Sequence, residues 1–153
     1  TYSLLSQVSG RAGRKNGDGK VILQTFNKDN VTLNLVKNNN YSGLYTYEMN
    51  IRRELKYPPY FYITTIKLAS KDYDEASKEA SKACTFLRKK LDGVYILGPT
   101  TARIFKVKNI YRFQIILKYK NFEQIKEVLT ELDNIYKTNI KVNIEIDNNP
   151  CYI

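Results

Sequence analysis

Residues 57–153 predict a domain of the α+β class with the element order β-α-β-β-α-β, and residues 1–56 a smaller run of helix, strand and helices. Three observations carry this α/β (α+β) reading. Two stretches, 72–91 and 121–136, repeat apolar residues at helical spacing. Segments rich in aromatic and β-branched residues lie before, between and after them, and the last of these alternates apolar with polar. Finally, Pro58 and Pro59 cannot continue a helix, and each disfavours helical backbone at the residue before it, so Tyr57-Pro58-Pro59-Tyr60 reads as a hinge between two parts.

In chain order, Leu4, Leu5 and Val8 predict a first helix. After a polar turn at 16–19, the run Val21 to Phe26 has the pattern of a short buried strand. Helical spacing returns over 29–36 and again over 41–55, where Leu44, Tyr47, Ile51 and Leu55 share one face. Past the hinge, Tyr60 to Ala69 is a strand. Asp72 and Glu75 form a capping box for a helix whose Ala76, Ala80, Ala83, Leu87 and Leu91 share a face, with Arg88, Lys89 and Lys90 in the last turn and Gly93 as the stop. Cys84 belongs beside Ala80 and Ala83 as a packed thiol. Two further strands follow: 94–108, interrupted at Gly98-Pro99, and 111–119, with Asn109 and Ile110 at the turn. Phe122, Ile125, Leu129, Leu132 and Tyr136 define the second helix, and Val142, Ile144 and Ile146 point inward along the final strand. Two βαβ halves in this order close into a mainly antiparallel sheet of four strands with both helices on one face, a ferredoxin-like arrangement with one sheet face open.

The chain has 153 residues with 25 Lys plus Arg against 15 Asp plus Glu, a net charge of +10. That length is too short for a two-lobed motor enzyme. With no His and only Cys84 and Cys151, far apart, a zinc cluster, a His-based triad and a disulfide scaffold are all disfavoured. No apolar run approaches a membrane span and the first residues lack a signal-peptide pattern, so a cytoplasmic protein is expected. The charge is unevenly placed. Between Asp92 and Glu123 there is no acidic residue, while Arg103, Lys106, Lys108, Arg112, Lys118 and Lys120 fall within that stretch. Clustered cations interleaved with aromatics are the footprint of a phosphate-backbone binder. On the strand 111–120, Arg112, Gln114, Lys118 and Lys120 share the side opposite Tyr111, Phe113, Ile115, Leu117 and Tyr119, so Gln114 joins the candidate contacts; an ordinary solvated strand face is the other reading. The glycine-containing aromatic strand of RNA-recognition modules has no match here. Tyr41, Tyr45, Tyr47, Tyr57, Tyr60 and Tyr62 are read as core or hinge packing in preference to base-stacking platforms.

The most specific string is Gln7-Val8-Ser9-Gly10-Arg11-Ala12-Gly13-Arg14. Two arginines three apart project on neighbouring faces of a helical turn, and small Gly and Ala residues let the backbone pack closely while the guanidinium forks reach a triphosphate. Arginine suits this because its planar fork binds phosphate oxygens in bidentate fashion and stays charged. A glycine-containing basic turn without a ligand is the alternative.

This string has the form of motif VI of superfamily 2 helicases. The longer run LLSQVSGRAGRKNGDGKVILQTFN, then RRELKYPPYFY, LGPTTARI and the closing IEIDNNP, resembles the C-terminal end of the primosomal replication-restart DNA helicases, the PriA family, over nearly the whole chain. The resemblance implies residues 1–35 as the end of the second helicase lobe, 36–56 as a helical connector and 57–153 as a C-terminal DNA- and partner-binding domain. It implies an ATP-dependent 3′-to-5′ helicase that recognises stalled replication forks and assembles the primosome, in a bacterial, nucleoid-associated setting. Arg14 would be the arginine finger on the γ-phosphate, with Arg11, Gln7 and Gly10 in support. ATP, Mg²⁺ and zinc belong to such a parent protein, but its Walker lysine, acidic metal motif and zinc-binding cysteines are not in this sequence, so the chain alone is expected to be inactive as an ATPase. Implied partners are forked DNA, the acidic C-terminal tail of single-strand-binding protein, and primosome and helicase-loading proteins. For the tail, Tyr111, Arg112, Phe113 and Gln114 keep the family's character, whereas Ile110 stands where a basic residue would help hold the carboxylate; Lys108 is the nearby substitute. A stand-alone ferredoxin-like nucleic-acid module is the competing reading, and a small-molecule regulatory domain a third; an arginine finger has no use in a free-standing binding module.

Overall fold

The computed structural model describes residues 2–12 and 19–151. It divides into two compact units, Thr1–Ile51 and Arg52–Ile153, a division that falls inside the stretch 36–56 expected as a connector. In the first unit, α1 (Tyr2–Ser9) and α2 (Val31–Lys37) are the helices foreseen, and α3 is Tyr41–Glu54. Asn30 caps α2, its side-chain oxygen accepting from the Leu33 amide at 3.3 Å. The strand expected at 21–26 is not formed. Those residues carry no regular structure and are exposed, Ile22 almost completely. A strand needs a neighbouring edge to bond to and an apolar surface to cover it, and the described elements of this unit are all helices.

The second unit has the β-α-β-β-α-β order: β1 (Tyr62–Ser70), α4 (Tyr73–Lys90), β2 (Tyr95–Val107), β3 (Ile110–Tyr119), α5 (Glu123–Lys137) and β4 (Asn143–Asn148). The sheet order is β2-β3-β1-β4 with every neighbouring pair antiparallel. Register puts Ile66 beside Ile115 and Ile146, and Leu68 beside Phe113 and Ile144. With Leu117 and Tyr119 these form the sheet side of one core, closed by Ala76, Ala80, Ala83, Cys84 and Leu87 from α4 and by Ile125, Leu129, Leu132 and Tyr136 from α5. Both helices therefore cover the same face. Three alanines let α4 lie close to the strands, and each large apolar side chain buried contributes roughly 1.5–3 kcal/mol.

Local details depart from the sequence reading. Only half of the capping box is made: Asp72 Oδ1 accepts from the Glu75 amide at 3.0 Å, while the Asp72 amide donates to Ser70 Oγ at 3.2 Å. The helix ends where Leu91 turns extended, and Gly93, at φ +68°, serves the following turn. Gly98-Pro99 does not interrupt its strand. β2 runs through it with register shifts between Leu97 and Thr100 and between Thr101 and Lys106. Gly98 has φ +106° and a cis peptide to Pro99, and its carbonyl accepts from Arg88 Nη2 at 3.0 Å and Cys84 Sγ at 3.4 Å. The β2–β3 turn consists of Lys108 and Asn109, both at positive φ, the conformation of a two-residue type I′ hairpin, so Ile110 is already in the strand.

Candidate nucleic-acid interface

On the sheet face away from the helices, alternation along β3 presents Arg112 and Gln114, and pairing places Ala69 and Lys67 of β1 beside them. Glu145 of β4 lies opposite Lys67 and accepts from its Nζ at 3.1 Å. From β2, the register shifts bring Ala102, Arg103, Ile104 and Val107 to the same side. Together these line a groove of about 720 Å³. Arg103 is exposed and makes no ion pair among the described residues. Arg112 Nη1 reaches the Ile110 carbonyl at 3.5 Å. One Lys–Glu pair offset by two arginines and an amide gives a groove with net positive charge and forked donors, the donor set that phosphate oxygens accept from.

The other predicted contacts separate. Lys106 turns away from this groove: its Nζ donates to Tyr111 Oη at 2.9 Å and lies 4.6 Å from that ring's centroid, beside the Tyr73–Phe105–Phe113 cluster at the start of α4. Lys108 is exposed at the hairpin tip and Lys120 just beyond β3. Lys118 is the exception to the expected basic face. It is only 7% exposed, its Nζ donating to the Leu55 carbonyl at 2.7 Å and resting 3.8 Å from the Tyr57 centroid. Burial, and secondarily the nearby Lys56 ammonium, push its pKa down. Lys118 thus ties the segment before the hinge to β3 and is a packing cation, not an open phosphate contact. Ile110, where a basic residue was looked for, lines a neighbouring concavity of mixed charge with Lys67, Lys71, Arg112 and Lys141 and with Asp72, Glu75 and Glu145. Lys67, Lys71 and Lys141 escaped the sequence reading; the Ile66-Lys67-Leu68 alternation was the one signal for the first of them.

The tyrosines expected in packing divide as well. Tyr41, Tyr45, Tyr47 and Tyr62 are exposed, whereas Tyr57 and Tyr60 are half-buried. α3 buries no residue, so its aromatic face is surface among the described residues.

Of the glycine–arginine string, Gln7 lies on α1, and Gly10 and Arg11 continue the chain at its C-terminal end. There the Gly10 amide donates to the Ser6 carbonyl at 2.9 Å and the Arg11 amide to that of Val8 at 3.2 Å. All three are exposed, and the amide and guanidinium suit phosphate oxygens. Gly13 and Arg14 lie outside the described residues. The donors do not fit zinc. Cys84 is buried and Cys151 exposed, and no group of three or more His, Cys, Asp or Glu side chains gathers among the described residues. Among those residues no helix is long and apolar enough to cross a membrane.

Residues 53–151 match the family model described as the primosomal protein N C-terminal domain. The chain is 38% identical over 154 residues to the replication restart protein PriA of Bacillus subtilis (strain 168), covering 98% of this chain and 19% of that protein. It is 31% identical over 147 residues to PriA of Synechocystis sp. (strain ATCC 27184 / PCC 6803 / Kazusa), covering 95% and 18%, and 33% identical over 126 residues to PriA of Thermotoga maritima, covering 82% and 16%. The chain therefore spans about a fifth of the length of these curated relatives.

Proposed function

The chain belongs to the primosomal protein N C-terminal domain family, and from that premise we propose that it is the DNA-holding C-terminal part of an ATP-dependent replication-restart helicase. The carrying observation is the convergence of Arg103, Arg112 and Gln114 in one groove on the open sheet face. A backbone phosphate lying along that groove meets two guanidinium forks and an amide without displacing any core residue. Lys108 and Lys120, exposed at opposite ends of β3, extend the positive track. Forked DNA is the ligand, and the acidic tail of single-strand-binding protein competes for the same cations, with Arg112, Gln114 and Lys108 as its anchors. Primosome and helicase-loading proteins are partners of the whole assembly.

The Gln7–Arg14 string has the other role. ATP with Mg²⁺, bound by parts of such a helicase that this sequence does not contain, supplies the phosphoryl chemistry. Arg14 of this chain would bring positive charge to the γ-phosphate, with Arg11 and Gln7 in support and Gly10 at the nucleotide beside them.

Fluorescence anisotropy with forked, duplex and single-stranded DNA across a salt series tests the groove. Arg103→Gln with Arg112→Gln is expected to weaken binding roughly tenfold and to make the slope of log affinity against log salt shallower by about 2. Unchanged slope and affinity in a folded double variant would remove the groove from the DNA interface.

A further inference from the structure

The groove on the open sheet face carries an anion of its own. Of the side chains that line it, Lys67, Arg103 and Arg112 are cationic and Glu145 alone is acidic. Register sets Lys67 of β1 directly opposite Glu145 of β4, and Nζ meets Oε1 at 3.1 Å. Strand alternation fixes the pair, because Ile66, Leu68, Ile144 and Ile146 on either side of the two residues turn to the core. Among the described residues Glu145 pairs with neither arginine.

A carboxylate in that place does for Lys67 what a backbone phosphate would do, offering two oxygens and one negative charge. Its hold is weak. The Lys67 side chain is 30% exposed and that of Glu145 61%, and an ion pair open to water contributes little, because solvent already satisfies both charges. β4 is an outer strand of the sheet, so no described strand flanks Glu145 on its far side. Glu145 also lines the neighbouring concavity of mixed charge, whose Lys71 and Lys141 make no ion pair among the described residues. A displaced carboxylate therefore has other cations to turn to.

We propose that Glu145 is a tethered stand-in for phosphate that sets the anion affinity of the groove: it holds Lys67 in reserve, and a DNA backbone gains that third cation only by displacing the carboxylate. The proposal rests on the groove being a DNA interface and adds what limits its affinity. The exchange also shapes the salt response. A lysine that sheds a solution anion adds to the ion release that makes binding salt-dependent. A lysine that sheds a carboxylate fixed to its own sheet adds less, because the freed carboxylate takes up a cation in turn. Lys67 is thus nearly silent in the native groove and becomes a full contact once residue 145 is neutral.

The test is anisotropy of the whole chain with one labelled duplex across a salt series, on Glu145→Gln, Lys67→Gln, the two combined, and Asp147→Asn, with circular dichroism confirming that each is folded. Asp147 is the control for net charge: it stands two residues along the same strand, opposite Thr65, and makes no ion pair among the described residues. Glu145→Gln is expected to bind about fivefold more tightly at ~50 mM salt, with a slope of log affinity against log salt steeper by about 1. Lys67→Gln alone should change affinity by less than about twofold, yet in the Glu145→Gln background it should remove the whole gain. Asp147→Asn should change affinity by less than about twofold. A Glu145→Gln gain that survives the loss of Lys67, or an equal gain from Asp147→Asn, would reduce Glu145 to general repulsion and overturn the proposal. No gain from Glu145→Gln, while Arg103→Gln with Arg112→Gln still weakens binding, would leave the groove standing and overturn the stand-in. If neither the unaltered chain nor Glu145→Gln binds DNA at any salt, the groove reading falls and the proposal with it.

Discussion

Gly98→Ala is expected to destabilise the chain by about 3 kcal/mol. At φ +106° a side chain is strained whatever surrounds it. The surroundings add to this, because a Cβ at Gly98 would stand 2.8 Å from the Gln114 carbonyl oxygen and 3.2 Å from the Thr100 amide nitrogen, both backbone atoms within the sheet. Neither can swing aside as a flexible side chain would, so β2 must move off β3 at the bulge. A loss of this size in a domain of this length lowers Tm by roughly 10–20 °C. Gly93→Ala is the control. Its φ is +68° but nothing lies within 4 Å of the added Cβ, so only the backbone penalty remains, about 1 kcal/mol. Thermal unfolding of the two variants side by side decides the matter, and equal Tm shifts would show that close approach at Gly98 is not what requires glycine.

The second large effect concerns the join between the two helices. Tyr136 of α5 places its hydroxyl 3.1 Å from the Glu79 carbonyl and 3.0 Å from Glu79 Oε2. Lys82 donates to Glu79 Oε1 from the solvent side. The Lys82 bond above all, opposed by burial and aided by Tyr136, holds the Glu79 carboxyl below its usual range. Burial first, then the bond to Glu79, pushes the Tyr136 phenol well up. The signs follow from linkage. Glu79 binds its proton more weakly folded than unfolded, so its contribution is present above about pH 4.5 and is lost as pH falls through the lower folded value. Tyr136 holds its proton more strongly folded, so its contribution is complete below about pH 10 and is lost as pH rises towards the higher folded value. Tyr136→Phe is expected to cost about 2 kcal/mol at neutral pH and to flatten the alkaline side of the stability profile. Glu79→Gln should flatten the acid side. Urea unfolding from acid to alkaline pH measures both, and a Tyr136→Phe profile that still falls alkaline of pH 10 like the parent would assign that limb elsewhere.

What the sequence disclosed and withheld follows from how local each cause is. α4 and α5 were legible because Ala76, Ala80, Ala83 and Leu87, and Ile125, Leu129 and Leu132, mark one helical face unaided by distant residues. Arg112 and Gln114 were legible because strand period alone puts them opposite Phe113 and Ile115. The fate of 21–26 turned on a partner edge, which no local pattern supplies. Lys118 shares strand period with Arg112, yet its surroundings are set by Leu55 and Tyr57, some 60 residues earlier. Gly98-Pro99 looked like punctuation because both residues break ideal strands; whether they end one or bend it depends on Arg88 and Cys84, which fasten the Gly98 carbonyl from α4.

The β2-β3-β1-β4 order also bears on how the domain assembles. The β2–β3 hairpin closes across two residues, but Thr64 of β1 meets Asn148 of β4 across 84, with Thr64 Oγ1 donating to Asn148 Oδ1 at 2.7 Å. Loop closure over so long a span is entropically late, and high contact order slows folding. During synthesis β1, α4, β2, β3 and α5 can emerge and collapse while the outer edge of β1 stays bare, waiting for the final strand. The groove inherits that delay: Lys67 gains its counter-charge only when Glu145 arrives, so a half-made domain on the ribosome carries more unbalanced positive charge than the finished one.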